Sequence, residues 1–306
     1  MLNNEELLEL LKAQITTSVG GLAQTEDAEA FIDLATEQTK VLGMIRTETG
    51  IKVARNLDSI ELGDPAMVAA TEATAPDSED VVTPTITRKA LTPNQVLLAY
   101  DITFDFLRKN IEGSSVNETL NKIFSKRFGK DCVIVAFNGD TTLAANSRLN
   151  KCKRIFNGFY KQASADANVH DYVISGSDYL GTIFPGMLAQ LPKDYKDDRS
   201  ELGMFVSPDV YEAYADQIGE RVTALGDTVL FGEKPLYYHG IQIVAVFQNP
   251  DGKMLLTPKR NLAIGFGDEI QVGRDIYNRK RLVEVTITAG IDAKYAVSDA
   301  IVYGSD

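Results

Sequence analysis

Apolar positions change their spacing several times along the chain, and each change marks a predicted element. Leu2, Leu7, Leu8, Leu11 and Ile15 recur at helical spacing, with Glu5, Glu6 and Glu9 on other faces, until Gly20-Gly21 ends the pattern. This predicts a short amphipathic arm. Its polar face carries Lys12 but no further base, so it suits a partner or an inward-facing position rather than a membrane surface. A second helix is predicted over Glu26–Val41, with Phe31, Leu34, Ala35, Gln38 and Val41 or Leu42 on one face and an end near Gly43.

From there to about Leu62 the pattern turns strand-like, with Ile45, Ile51, Val53 and Ile60 set among polar and glycine positions. Glu61–Asp80 carries Glu61, Asp64, Glu72, Asp77, Glu79 and Asp80 without a basic residue and cannot build a core of its own. Val81–Leu98 is β-branched and holds Pro84 and Pro93, which suit edge strands because proline lacks the ladder N–H. The span Ile45–Tyr100 therefore predicts a long hairpin with an acidic tip. A two-stranded ribbon is marginal alone in water, so it is expected to rest on its own body or on a neighbour. A disordered surface insertion is the competing reading.

Ser115-Val116-Asn117-Glu118 has the form of a capping box and opens a predicted helix that runs to an Asn138-Gly139 stop. Val116, Leu120, Ile123 and Phe124 share one face, Lys122, Lys126, Arg127 and Lys130 are polar, and Gly129 could soften the middle. At 1.5 Å per residue the helix is roughly 34 Å long. A basic stretch with Arg148, Lys151, Lys153 and Arg154 is expected to be irregular, and Tyr179–Leu191 to be helical with an interruption at Pro185-Gly186. Met204-Phe205-Val206 predicts a buried strand running into a helix capped at Ser207-Pro208-Asp209. Further strands are expected at Ile241–Phe247, Lys253–Leu256, Leu262–Phe266, Leu282–Thr288 and Tyr295–Tyr303. The fold class is α+β, without the βαβαβ alternation of a doubly wound sheet.

Composition narrows the function. The 306 residues carry a net charge of −12, which opposes sequence-independent binding to nucleic acid, since phosphate contacts need a surplus of Lys and Arg. No apolar run is long enough to span a bilayer, and Met1–Leu10 is acidic where a signal peptide is basic, so synthesis in the cytoplasm is expected. Cys132 and Cys152 fit no metal spacing and are expected to be inert thiols. His170 and His239 lie near neither a nucleophile elbow nor a metal motif, and His239 is expected on a turn. Gly265-Phe266-Gly267-Asp268 and Asn138-Gly139-Asp140 match no phosphate loop and are taken as turns; Asp197-Asp198 and Glu79-Asp80 are taken as solvated loop charge. No catalytic, cofactor or metal residue is therefore expected. The basic run Arg279-Lys280-Arg281 is the natural complement of the acidic Glu61–Asp80 stretch in another copy.

The order of elements resembles the major capsid proteins of tailed bacteriophages with the Hong Kong 97-type shell fold. Leu91–Asp140 resembles the passage in which that family's extended loop returns and its long spine helix ends in an Asn-Gly-Asp turn. Gly203–Asp209, Leu230-Phe231-Gly232, Gly240–Val246, Ile264–Asp275 and Leu282–Thr288 resemble later strands and loops of the same fold. The resemblance implies an N-terminal arm (1–44), an extended loop (45–100), a peripheral domain with the spine helix (101–156 and 268–306) and an axial domain (157–267). It implies self-assembly into pentamers and hexamers of an icosahedral head in the virion, enclosing double-stranded DNA without gripping it, which the acidic balance suits. Implied partners are other copies, a scaffolding protein, a portal and cement or decoration proteins. Candidate contacts between copies are Glu61, Asp64, Glu72, Asp77, Glu79 and Asp80 against Arg279, Lys280, Arg281, Lys122 or Lys126. The chain departs from family members that carry a long cleaved scaffolding segment, so scaffolding is expected from a separate protein or to be already removed. With Lys52 and Lys89 the lysines on the loop's limbs, an isopeptide cross-link is not expected. The alternatives are an encapsulin-type compartment shell, a hydrolase, and an adhesin or tail component.

Overall fold

The structure, a computed structural model, describes residues 39–61, 67–69, 81–105, 116–219, 235–267 and 271–306. The two predicted N-terminal helices, the acidic tip and the Ser115 capping box lie outside these residues, apart from Thr39–Met44, which form a turn. The long helix is present as α1, Val116–Asn138, and it runs unbroken past Gly129.

Two sheets pack around the second half of α1. The five-stranded sheet is organised on β12 (Leu282–Tyr295), whose 14 residues extend about 46 Å. One edge of β12 pairs with β4 (Asn94–Thr103). Its other edge pairs with β10 (Leu262–Gly267) and then with β11 (Gln271–Tyr277), and β1 (Arg46–Ile51) lies parallel to β10. Alternation on β12 sends Val283, Val285, Ile287, Ala289 and Ile291 inward, as the β-branched pattern predicts.

The six-stranded sheet has the order β5-β13-β9-β6-β8-β7. Its strands are β5 (His170–Val173), β6 (Leu202–Val206), β7 (Tyr237–Tyr238), β8 (Ile241–Ala245), β9 (Lys253–Pro258) and β13 (Val302–Ser305). Both faces of β6 are buried, which is why its sequence is a continuous apolar run rather than an alternation. Phe205 and Leu255 face α1, whereas Met204, Val206, Met254 and Leu256 face a second core. Two helices cover that second core, α4 (Phe184–Gln190) and α5 (Pro208–Gly219). Ser207 Oγ accepts from the Val210 amide at 3.1 Å, the predicted cap of α5. Pro185 does not break a helix here; it sits in the first turn of α4, after a π-helical turn over Tyr179–Ile183. His239 and Gly240, at φ 47° and 90°, form the two-residue turn from β7 to β8.

Several expectations are corrected. Arg148–Lys153 is a short helix, α2, whose Ser147 cap accepts from the Asn150 amide; its bases face solvent and so carried no apolar period. Gly265-Phe266-Gly267 is not a turn but lies inside β10, where Gly265 lets β1 approach: an added Cβ would stand 2.7 Å from Ile51 Cδ1. The last predicted strand divides, since Tyr295 ends β12 and only Val302–Ser305 joins the other sheet. Strand β5 is not predicted by pattern or resemblance, and β11 is reached only through the resemblance of Ile264–Asp275 to the family's return strands.

After α1 the chain reverses at Gly139 and passes into α3 (Phe159–Ala163). Gly139 has no left-handed φ; it is required by space. A Cβ there would meet the carbonyl oxygens of Phe156 and Val135 at 2.3 and 2.5 Å, both backbone atoms that cannot step aside. Gly139→Ala is expected to cost 2 kcal/mol or more, on the order of a severe core substitution. Gly273→Ala, whose Cβ would meet nothing nearer than 3.9 Å, is expected to change stability by less than about 1 kcal/mol. Thermal melts of the two variants beside the parent check this pair.

Candidate assembly site

The span predicted as one long hairpin has three parts. Its ends, β1 and β4, belong to the five-stranded sheet, while the ribbon proper is β2 (Arg55–Glu61) paired antiparallel with β3 (Thr85–Leu91). Thr92 and Pro93 separate β3 from β4, so the proline falls where no ladder hydrogen bond is lost.

One face of the ribbon is fastened to the body at its root. Leu57 and Leu91 are buried with Ile51, Ala263 and Ala296 in a small apolar notch. Opposite Leu57 in register stands Lys89, whose ammonium donates to Ser298 Oγ at 2.7 Å and to Asp166 Oδ2 at 3.3 Å. The same ammonium lies 3.6 Å from the centre of the Tyr295 ring. Asp166 Oδ2 also accepts from the hydroxyls of Tyr295 at 2.9 Å and Ser298 at 2.7 Å, and its Oδ1 from the Asn168 amide at 3.1 Å. Burial alone would raise the Asp166 carboxyl, but the Ser298, Asn168 and Tyr295 hydrogen bonds and the Lys89 charge outweigh it and hold it at about 2. Burial lowers Lys89, against the pull of Asp166. Beside this group, buried Asp292 accepts from the Thr92 amide at 2.8 Å, and Glu48 takes Arg46 and Arg55.

Away from the root the other face is open. Asp58 and Arg88 pair at 2.8 Å, and the next rung carries Ile60 and Ile86, 69% and 62% exposed. These two isoleucines stand side by side on the solvent face of the ribbon.

The candidate contact residues are placed as follows. Glu61 ends β2, while Asp64, Glu72, Asp77, Glu79 and Asp80 lie outside the described residues. Lys122 and Lys126 are on α1, Lys126 exposed. Arg279, Lys280 and Arg281 are brought together in the turn from β11 to β12. Two of the three already have partners in the same chain: Lys280 meets Glu284 at 3.6 Å and Arg281 meets Asp105 at 3.1 Å. Arg281 sits at φ 53°, fixed there by its amide on the Asn278 carbonyl and its carbonyl on the Phe104 amide. The Lys89 group was not anticipated as a site, although Lys89 lies on the same strand face as buried Leu91 and the alternation alone turns it inward.

Among the described residues no group of three or more His, Cys, Asp or Glu side chains stands close enough to hold a metal ion. His170 bonds Asp299 at 2.9 Å at the surface, and burial pushes both thiols up, that of Cys152 to about 11. Asp197-Asp198 is a solvated loop in which Asp198 caps Ser200. Two concavities, about 270 and 450 Å³, are lined without a carboxylate, histidine, cysteine or serine.

No family model matches the chain. Over 314 aligned positions it is 24% identical to a putative prophage capsid protein, YqbE, of Bacillus subtilis strain 168, covering 98% of this chain and 97% of that one. It superposes on a chain of the satellite phage P4 procapsid including the size determination (Sid) protein with a TM-score of 0.68 at 16% identity, covering 99% of this chain and 98% of that one. A capsid chain of the native GTA particle gives 0.56 at 12% identity, over 94% and 92%. The chain has the fold of the phage capsid proteins.

The root should show its charge in acid. Asp166, held near 2 against an unfolded value of about 3.9, adds stability that is complete above about pH 4 and is lost as pH falls toward 2. Asp292, raised by burial, slopes the other way, so Asp166→Asn is the comparison that isolates the first. Stability of the parent is expected to fall by about 1 kcal/mol more than that of Asp166→Asn between pH 5 and 2, after discounting for solvent screening. Urea midpoints across that range measure it.

Proposed function

We infer that the protein is a major capsid protein, a structural subunit that assembles into an icosahedral phage shell. The observation that carries this is agreement over nearly the whole chain, in sequence with a prophage capsid protein and in fold with phage capsid chains. In the finer reading, the copies form pentamers and hexamers of a head that encloses double-stranded DNA and is assembled in the host cytoplasm. Residues 1–44 serve as an arm, 45–100 as the extended loop, 101–156 with 268–306 as the peripheral domain and 157–267 as the axial domain. A scaffolding protein, a portal and decoration proteins are its further partners. An encapsulin-type compartment is disfavoured, because the curated relative is a prophage capsid protein.

In this reading each ribbon lies across a neighbouring copy and buries Ile60 and Ile86 there. The acidic tip meets a basic surface of the neighbour, with Arg279 and Lys126 the better candidates because Lys280 and Arg281 are engaged at home. Burying one isoleucine gains about 1.5–3 kcal/mol, a short-range attraction that works against the repulsion between two acidic subunits.

Negative-stain microscopy and light scattering of the purified protein, alone and with its scaffolding partner, test the reading. Closed shells, or pentamers and hexamers, are expected; a persistent 33.5 kDa monomer under both conditions overturns it. Ile60→Asp with Ile86→Asp is expected to abolish shells while leaving the melting temperature of the isolated subunit within about 2 °C of the parent, since both side chains are exposed in the single copy.

A further inference from the structure

One rung of the ribbon carries two different fastenings. Leu57 and Lys89 are directly opposite each other and on the same face, yet the first enters an apolar notch and the second a polar box. An apolar contact is non-directional, so the notch that takes Leu57 of β2 and Leu91 of β3 seats the root without by itself fixing the angle at which the ribbon leaves it. Lys89 supplies what the notch lacks. Its hydrogen bonds to Ser298 and Asp166 and its approach to the Tyr295 ring meet the ammonium from different directions. Those partners come from separate places in the chain: Asp166 follows α3, Tyr295 ends β12, and Ser298 lies in the loop before β13. A directional attachment added to the apolar notch fixes the ribbon's angle as apolar contact alone does not.

We propose that Lys89, seated between Asp166, Ser298 and the Tyr295 ring, is a lock that sets the direction in which the ribbon leaves the body. The lock engages within a single copy, before any neighbour is present. It rests on the capsid reading only for what the ribbon is aimed at. Its consequence there is that a subunit arrives with its ribbon already pointed, so neighbour contact does not have to supply the ordering entropy. Asp166 retains hydrogen bonds from Tyr295, Ser298 and Asn168 when Lys89 is absent, so withdrawal of the lysine leaves no buried unpaired carboxylate. Loss of the Lys89 contacts therefore frees the ribbon's angle while the notch and the body's own hydrogen bonds stay intact.

The test measures direction rather than stability. Spin labels at Ile86→Cys on the ribbon and Leu149→Cys on α2, in a Cys152→Ser background, report the distance between ribbon and body in unassembled subunits; both sites are exposed. A single narrow distance distribution is expected with Lys89 present. Lys89→Met is expected to widen it at least twofold, and Asp166→Asn, which keeps the side-chain shape, to widen it less. A wild-type distribution in either folded variant overturns the lock. Shell formation is scored separately by microscopy. If the unlabelled parent forms no shells, the capsid reading fails and the distance result still decides the lock. If the parent forms shells, Lys89→Met is expected to give a broader spread of diameters.

Discussion

The contact on which the rest depends is the burial of the second half of α1 between the two sheets. From Cys132 to Phe137 the helix is apolar on every side, and every side is covered. Phe137 is the centre of this joint. Its ring meets Phe159 edge-on at 5.1 Å, Phe205 of the six-stranded sheet at 5.3 Å and Tyr160 at 5.9 Å. Earlier in the helix, Phe128 meets Phe266 of the five-stranded sheet at 6.3 Å, and Phe124 stacks on Tyr100 of β4. One helix thus joins both sheets to one core, and the reversal at Gly139 brings α3 back against it. The two sheets have no shared strand, so their relation is set by these side chains.

The five-stranded sheet converts that rigidity into a platform for the ribbon. Since β12 pairs along its length with β4 on one edge and with β10 and β11 on the other, the strands flanking the ribbon root cannot shift without breaking its ladders. The outer face of this sheet is less favourable than its inner one. Glu284 stands opposite Asp101 on one side and Asp275 on the other, a row of carboxylates across neighbouring strands, and like charges in direct register repel. Lys280 is therefore drawn to Glu284, and Arg281 to Asp105 close by. This explains why a basic turn that complements the acidic tip on paper is partly spent on its own sheet.

Much of this was legible in the sequence, for definite reasons. Periodicity found α1 and the inward face of β12, the Ser207-Pro208-Asp209 cap found α5, and a run apolar at every position found β6. The failures have causes as definite. Strands β5 and β11 have no apolar alternation, because part of their ordering comes from pairing with distant segments. Gly265 looked like a turn residue because sequence shows small size but not the neighbouring strand that needs it. The ribbon was predicted too long, since nothing local distinguishes a strand paired with its hairpin partner from one paired with a strand far along the chain. The Lys89 box could not be assembled from sequence at all, as its members are separated by 77 and 209 positions. Exposed Ile60 and Ile86 stood in a strand pattern that gave no hint of which face met water.

The charge of the subunit sets a limit on how it assembles. At −12 per copy, repulsion opposes every encounter between copies, and it is largely screened beyond a Debye length of about 8 Å at physiological salt. Attraction that acts on contact has to offset this, and the described ribbon carries one exposed apolar rung, Ile60 with Ile86. A contact of that size gains a few kcal/mol, too little to trap a wrongly placed subunit yet enough when many neighbours act together. Repulsion that acts at distance and attraction that acts only on contact favour reversible addition. A ribbon whose direction is set before contact raises the fraction of encounters that are productive, which matters most where each single contact is weak.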